Sequence, residues 1–433
     1  MRIPFSSSTS SSLGIEWELQ LVDYRTRQLR GDASAILDEL RTKIGEQDAA
    51  KAKHELFDST IEVITGVCGS VGEATADLAG TMSVLRDLAE RRGLGLMCSG
   101  THPISDYASQ RITEDDRYAK LVSQMQWMAR RLLIFGVHVH VGVRSPDKAM
   151  PIMNALMAYI PHFLALSASS PYWLGDDTGL ASSRSQVFAS LPTAGLPYPL
   201  DDWPGFEAFM GTLIASGTIE TIREIWWDIR PHPNFGTVEL RICDGLPTLM
   251  EVGAVAALAQ CLVDRMNTQI DRGYRLPTPK RWLVQENKWR AARYGLDAHI
   301  MIDGQGAVRS VRDDIIDLVE DLLPVAHRLG CAGELADVLS IVEVGGSSTR
   351  QREVARRAGG DLFPVVDTLL AEMEAGRPIV DGPFPSAAVP SSSSPAGPVS
   401  GPVSEAAGSA GADGSVSHPS SVPPLASRPF SSA

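Results

Sequence analysis

The stretch Leu13-Gly14-Ile15-Glu16-Trp17-Glu18-Leu19-Gln20 places two carboxylates two residues apart among apolar neighbours. Residues i and i+2 of a strand share a face, so Glu16 and Glu18 project together. Val137-His138-Val139-His140-Val141-Gly142 repeats the device with two imidazoles. Thr60-Ile61-Glu62-Val63-Ile64-Thr65 is β-branched around one carboxylate, and Thr237-Val238-Glu239-Leu240-Arg241-Ile242 sets Glu239 and Arg241 opposite Val238, Leu240 and Ile242. Carboxylates on such apolar strands are costly unless cations neutralise them. The pattern therefore implies a sheet whose polar face is a divalent-metal site.

Working outward, strand-like runs at 13–22, 60–65, 95–99, 134–143, 225–230 and 237–244 interleave with helical periodicity at 33–44, 72–92, 119–133, 149–169, 206–216, 249–272, 288–294, 311–323 and 351–375. Asp201 ahead of Trp203-Pro204, and Pro247-Thr248 ahead of the long helical run, are start signals. One polar face per strand suits an antiparallel sheet with a wet side, hence an α+β fold with helices packed outside.

The 433 residues, 44% of them hydrophobic, suffice for a large core in one enzyme domain or two to three smaller ones. A net charge of -13 argues against a nucleic-acid partner, which needs a basic stripe. The cysteines Cys68, Cys98, Cys243, Cys261 and Cys331 are scattered without a C-x-x-C pair, which suits reduced thiols and a cytoplasmic location. Residues 1–12 are Ser/Thr-rich without the apolar run of a signal peptide, and are expected to be disordered. The apolar run 152–168 is broken by Pro161-His162 and too short for a membrane span, so a buried helix or helix pair is expected. From Pro383 to Ala433, Ser, Pro, Ala and Gly dominate, and 383–433 reads as a disordered tail. The folded unit is then 13–382.

Glu16, Glu18, Glu55, Glu62 and Glu239 with His138 and His140 form an oxygen-rich donor set suited to Mg²⁺ or Mn²⁺. An H-x-H pair also serves zinc hydrolases, the alternative reading of the same residues. Against it, the other strand ligands are all Glu, and H-E-x-x-H is absent from the sequence. G-x-x-x-x-G-K-[ST] is absent too, so phosphate must be gripped by metals and arginines. Arg230, Arg241 and Arg184 are the candidate cations, because a guanidinium fork suits carboxylate and phosphoryl oxygens. The loop Ser99-Gly100-Thr101-His102-Pro103 is a candidate backbone anion site.

The segments G-I-E-W-E-L-Q, E-L-F-D-S-T-I-E-V-I-T, G-T-H-P with D-D-R-Y, F-G-V-H-V-H-V-G, A-L-S-A-S-S-P-Y-W-L-G-D-D-T-G-L-A-S-S-R, W-W-D-I-R-P-H and T-V-E-L-R-I-C-D occur in this order between Leu13 and about Leu246. Together they resemble the carboxylate-amine ligase family, glutamate–cysteine ligase type 2, of the glutamine synthetase superfamily. The resemblance implies a curved, mainly antiparallel sheet of the glutamine synthetase-like catalytic fold. It implies an ATP-dependent reaction in which glutamate's γ-carboxylate is phosphorylated and the acyl phosphate is captured by cysteine or another amine. By the same resemblance, Glu18, Glu55 and Glu62 hold the metal nearer the acceptor carboxylate, and Glu16, His138 and Glu239 hold the metal bridging the ATP phosphates. His140 sits beside the nucleotide, Arg241 meets the transferring phosphoryl group or the substrate carboxylate, and Arg230 and Arg184 are supporting cations. The implied partners are small-molecule substrates, with neither nucleic acid nor membrane, and a homo-oligomer is allowed for. Two other readings share the scaffold: a metal-dependent phosphoryl-transfer enzyme of the guanidino-kinase kind, which would release its phosphorylated product, and a non-catalytic nucleotide-binding protein.

Overall fold

The structure is a computed structural model and describes residues 1–380. The expected tail at 383–433 lies outside the described residues. The main sheet has seven strands: β1 (Leu13–Asp23), β2 (Ala52–His54), β3 (Thr60–Ile64), β4 (Leu94–Met97), β5 (Val137–Gly142), β6 (Ile229–His232) and β7 (Thr237–Leu240). Their order is β6-β7-β5-β1-β3-β2, with β4 also on β1, and every pairing is antiparallel. The sheet is open, ending at β6 and β2.

β1 organises this sheet because it is long enough to serve three neighbours. Its first half pairs with β5, its middle with β3 and its end with β4. Its alternation is reproduced in burial. Ile15, Trp17, Leu19 and Leu21 are buried in the core, and Trp17 donates from Nε1 to the Leu246 carbonyl at 3.1 Å. Val137, Val139, Val141, Ile61, Val63, Val238 and Leu240 join that layer. Helices Val71–Glu90, Pro146–Leu156 and Leu249–Asp271 cover it. Ser70 caps the first of these by accepting from the Glu73 N–H, and Thr248 caps the third by accepting from the Glu251 N–H, as expected from Pro247-Thr248.

The run 146–167 is long and apolar enough by composition to cross a membrane, yet most of it is buried inside the fold. It forms two helices, Pro146–Leu156 and Ile160–Ser167, with Pro161 in the first turn of the second.

Several expectations are corrected. Residues 1–12 are packed: Ile3 is buried, Phe5 meets the Trp203 ring edge-on at 5.3 Å, and Ser11 donates to Asp264 at 2.8 Å. Two apolar anchors and paired hydroxyls outweigh the Ser-rich composition. The strand expected at 225–230 divides at Asp228. Trp226–Trp227 pairs in parallel with Ala194–Gly195, and Ile229–His232 joins the main sheet. The helix expected at 351–375 is two, Ser347–Arg357 and Phe363–Ala375, because Gly359 and Gly360 take φ of +66° and +96°. The 206–216 helix begins earlier, at Trp203, and its cap is Asp202 rather than Asp201. Helix Ala332–Val344 was missed, since its β-branched residues beside Gly330 and Gly333 do not read as a helix.

Candidate active site

Strand register assembles the polar face. Glu16 lies opposite His138 on β5, and Glu18 lies opposite Glu62 on β3. His140 lies opposite Glu239 on β7, which lies opposite Arg230 on β6. Directly opposed residues of an antiparallel ladder point to the same side, so one row of side chains crosses five strands. Glu55 joins from the turn after β2. It is pinned there by Thr113, whose hydroxyl donates to the Glu55 carbonyl at 2.6 Å, and by Tyr118, which donates to the His54 carbonyl at 2.9 Å.

Glu16 sits at the centre. One carboxylate oxygen is 3.0 Å from His138 Nδ1 and the other is 3.3 Å from His140 Nε2. His140 Nδ1 is 3.0 Å from the Thr237 hydroxyl, and its Nε2 is 3.9 Å from Glu239 and has no hydrogen-bond partner. Three groups of donor atoms converge: Glu16, Glu62 and His138; Glu16, His140 and Glu239; and Glu18, Glu55 and Glu62. The third brings together Glu18, Glu55 and Glu62, the residues that the resemblance groups. The second differs from expectation, because the ring that meets Glu239 is His140, its cross-strand partner, and not His138.

Electrostatics divide the site in two. Burial opposes ionisation of Glu16, but the hydrogen bond from His138 and the nearness of both His138 and His140 hold its pKa well below the usual carboxylate range. Glu239 is also buried, and the charges of Arg230, Arg241 and His140 keep it ionised. Its carboxylate accepts from Arg230 Nε at 2.8 Å and from Arg241 Nη1. At the other end, burial pushes Glu18 up to about 8, helped by the Glu55 charge and opposed by Arg184. Burial likewise raises Glu55, and it raises Glu62 strongly with help from Glu16, Glu55 and Glu18. Three crowded carboxylates with little internal cationic relief form a strong field for a cation.

Arg184 stands behind Glu18. It is buried at the start of helix Arg184–Ala189, and its guanidinium donates to the carbonyls of Ile242 and Arg241, each at 3.4 Å. Asp244 orients it from 3.9 Å while accepting from the Ser170 hydroxyl at 2.6 Å and the Ser182 hydroxyl at 2.8 Å. Gly136 completes the wall. Its N–H donates to Glu18 at 2.5 Å, and a Cβ there would lie 2.4 Å from Arg184 Nη2 and 3.2 Å from His138 Nε2. Sequence reasoning missed Thr237, Asp244 and Gly136. Thr237 was findable, since it precedes Glu239 by two and shares its face.

The Ser99–Pro103 loop is not an anion site. Its Gly100 N–H is taken by the Ser169 hydroxyl at 2.8 Å, and its Ser99 and Thr101 hydroxyls are bonded to backbone carbonyls.

The donor set fits a hard divalent cation: five carboxylates, two imidazoles, and a buried His140 Nε2 with no hydrogen bond beside two of those carboxylates. The fold is that of the glutamate–cysteine ligases. The structure of the Francisella tularensis glutamate–cysteine ligase in complex with AMP matches with a TM-score of 0.63 at 14% identity, covering 86% of this chain and 89% of that one. A bifunctional glutathione synthetase from Pasteurella multocida matches with a TM-score of 0.60 at 15% identity, over 84% of this chain and 52% of that one. The sequence narrows the class, and the chain belongs to the glutamate–cysteine ligase family 2, whose model matches residues 12–368. It is 85% identical over 382 residues to a Frankia alni protein provisionally named glutamate–cysteine ligase 2-1, covering 88% of this chain and all of that one. It is 54% identical over 380 residues to a Thermobifida fusca protein provisionally named glutamate–cysteine ligase 2, covering 88% of this chain and 95% of that one.

Proposed function

We propose that this protein is an ATP-dependent carboxylate-amine ligase that joins glutamate to cysteine, or to another amine, with release of ADP and phosphate. The observation that carries the reading is the row of carboxylates and imidazoles around Glu16, ending in Arg230 and Arg241. Family membership supports the reaction class. In this reading an oxygen of glutamate's γ-carboxylate attacks the γ-phosphorus of ATP, and the bond to ADP breaks. The amine nitrogen then attacks the acyl carbon, loses its proton, and expels phosphate.

Glu16, Glu18, Glu55, Glu62, His138 and Glu239 are assigned to hold Mg²⁺ or Mn²⁺, with His140 beside Glu16 and Glu239 at the nucleotide. Such ions, when bound, neutralise charge on the transferring phosphoryl group. Arg241 and Arg230 share the Glu239 carboxylate, and their donors would be free for phosphoryl oxygens were Glu239 to serve as a metal ligand. Arg184, fixed by Asp244, supplies positive charge behind Glu18 without leaving its place. The catalytic unit is assigned to 13–382, and the buried, unbridged cysteines suit a cytoplasmic enzyme.

The test is Mg²⁺-dependent ADP release with glutamate, with and without cysteine and a panel of amines. ADP release that needs both substrates, with a γ-glutamyl product of matching mass, supports the ligase. Stoichiometric release of a phosphorylated amine would instead favour the guanidino-kinase-like alternative.

A further inference from the structure

Arg131 follows directly on the short helix Trp127–Arg130. Its guanidinium carbon lies 4.2 Å from the centre of the Trp127 ring and 5.6 Å from that of Tyr107. Tyr107 stacks in turn on Trp173, with centroids 5.9 Å apart and planes at 28°. The cation is thus held in an aromatic slot. Among the described residues it meets no carboxylate, unlike Arg230, Arg241 and Arg350, and its Nε is buried with no hydrogen-bond partner. The backbone is bent to build this slot. Gln126 takes φ of +48°, unusual for a residue with a side chain, and there the helix Asp116–Met125 ends and Trp127 begins a new turn.

The slot belongs to the segment that covers the Glu18, Glu55 and Glu62 end of the sheet. That segment bridges Ile112 to Phe57, and it ties Thr113 and Tyr118 to the carbonyls of Glu55 and His54. Five residues beyond Arg131, the Gly136 N–H donates to Glu18. A guanidinium with an unpaired buried donor and no internal anion, beside a site for amino acids, is poised for a ligand carboxylate.

We infer that Arg131 receives the α-carboxylate of an amino-acid substrate, with Trp127 and Tyr107 holding its fork toward the ligand. The inference deepens the ligase reading and rests on it. Two substrate pairs separate donor from acceptor: glutamate against its 1-amide, which keeps the γ-carboxylate, and cysteine against cysteamine. Arg131→Gln is expected to raise KM for the carboxylate-bearing member of one pair by about 10- to 100-fold, with kcat little changed and KM for its partner unchanged. Arg131→Lys is expected to recover part of that loss. A loss in the glutamate pair assigns the donor, and a loss in the cysteine pair assigns the acceptor. Unchanged discrimination in both pairs, or equal losses for both members of a pair, overturns the inference. If the wild-type protein releases no ADP with any pair, the ligase reading fails, and Arg131 is judged by calorimetric binding of the same four compounds. Carboxylate-dependent binding weakened by Arg131→Gln then upholds it. Absent or unaltered binding overturns it.

Discussion

Glu16 and His138 face one another across adjacent antiparallel strands, with 3.0 Å between Oε2 and Nδ1. The same carboxylate reaches His140 at 3.3 Å, so one side chain belongs to both histidines. Glu16→Gln keeps the shape and removes the charge. It is expected to lower turnover by about 100-fold or more, the scale seen when a preorganised electrostatic group is lost. ADP release at saturating ATP checks this. Turnover within a few-fold of wild type would remove Glu16 from the site.

The acidic end of the site predicts a pH-dependent metal effect. Glu18 is raised from 4.5 to about 8, chiefly by burial and then by Glu55. A carboxyl raised in the folded state gives stability that is present below its ordinary pKa and lost as pH rises through the folded value. His138 is lowered to about 4, by burial and then by the Arg241 charge, and so contributes an opposite slope only below its ordinary 6.5. Between 6.5 and 8 the carboxyls therefore govern. In chelator, the thermal midpoint is expected to fall from pH 6.5 to 8, and Mg²⁺ or Mn²⁺ is expected to restore more at pH 8 than at 6.5. An ion-induced rise that is equal at both pH values contradicts this.

Much of this site was legible in the sequence, for a definite reason. A period of two assigns each strand residue to a face, so Glu16 with Glu18, His138 with His140, and Glu239 were readable as one polar surface. Register was not readable. Nothing local says that Glu239 stands opposite His140, and that pairing decides which ring meets Glu239. Composition also hid the N-terminal anchor, because Ile3 and Phe5 are few among serines. The Arg131 slot rests on Tyr107 and Trp127, brought together by a backbone turn at Gln126 that no propensity foretells.

Gly136 has no room for a methyl group between Arg184 and His138. Gly136→Ala is expected to cost about 1–3 kcal/mol, as overpacking does. Because Arg184 is buried and tethered, the displaced groups lie in the site, and activity is expected to fall further than the unfolded fraction explains. Denaturant midpoints beside turnover check this.

Arg350 offers a contrast remote from the sheet's polar face. It is buried between Glu251, at 2.9 Å, and Glu372, at 2.9 and 3.2 Å. Arg350→Met leaves two buried carboxylates without their partner and is expected to cost about 3–5 kcal/mol. KM for ATP and glutamate is expected to stay unchanged in the folded fraction. A selective KM effect would show that this triad reaches the site.

The central claim is that glutamate's γ-carboxylate takes the phosphoryl group before the amine takes the acyl group. Glutamate carrying ¹⁸O in its γ-carboxylate, turned over with ATP and cysteine or the amine found to be accepted, tests it directly. The account predicts one ¹⁸O in the released phosphate. Phosphate free of label, alongside a γ-glutamyl product, would contradict it.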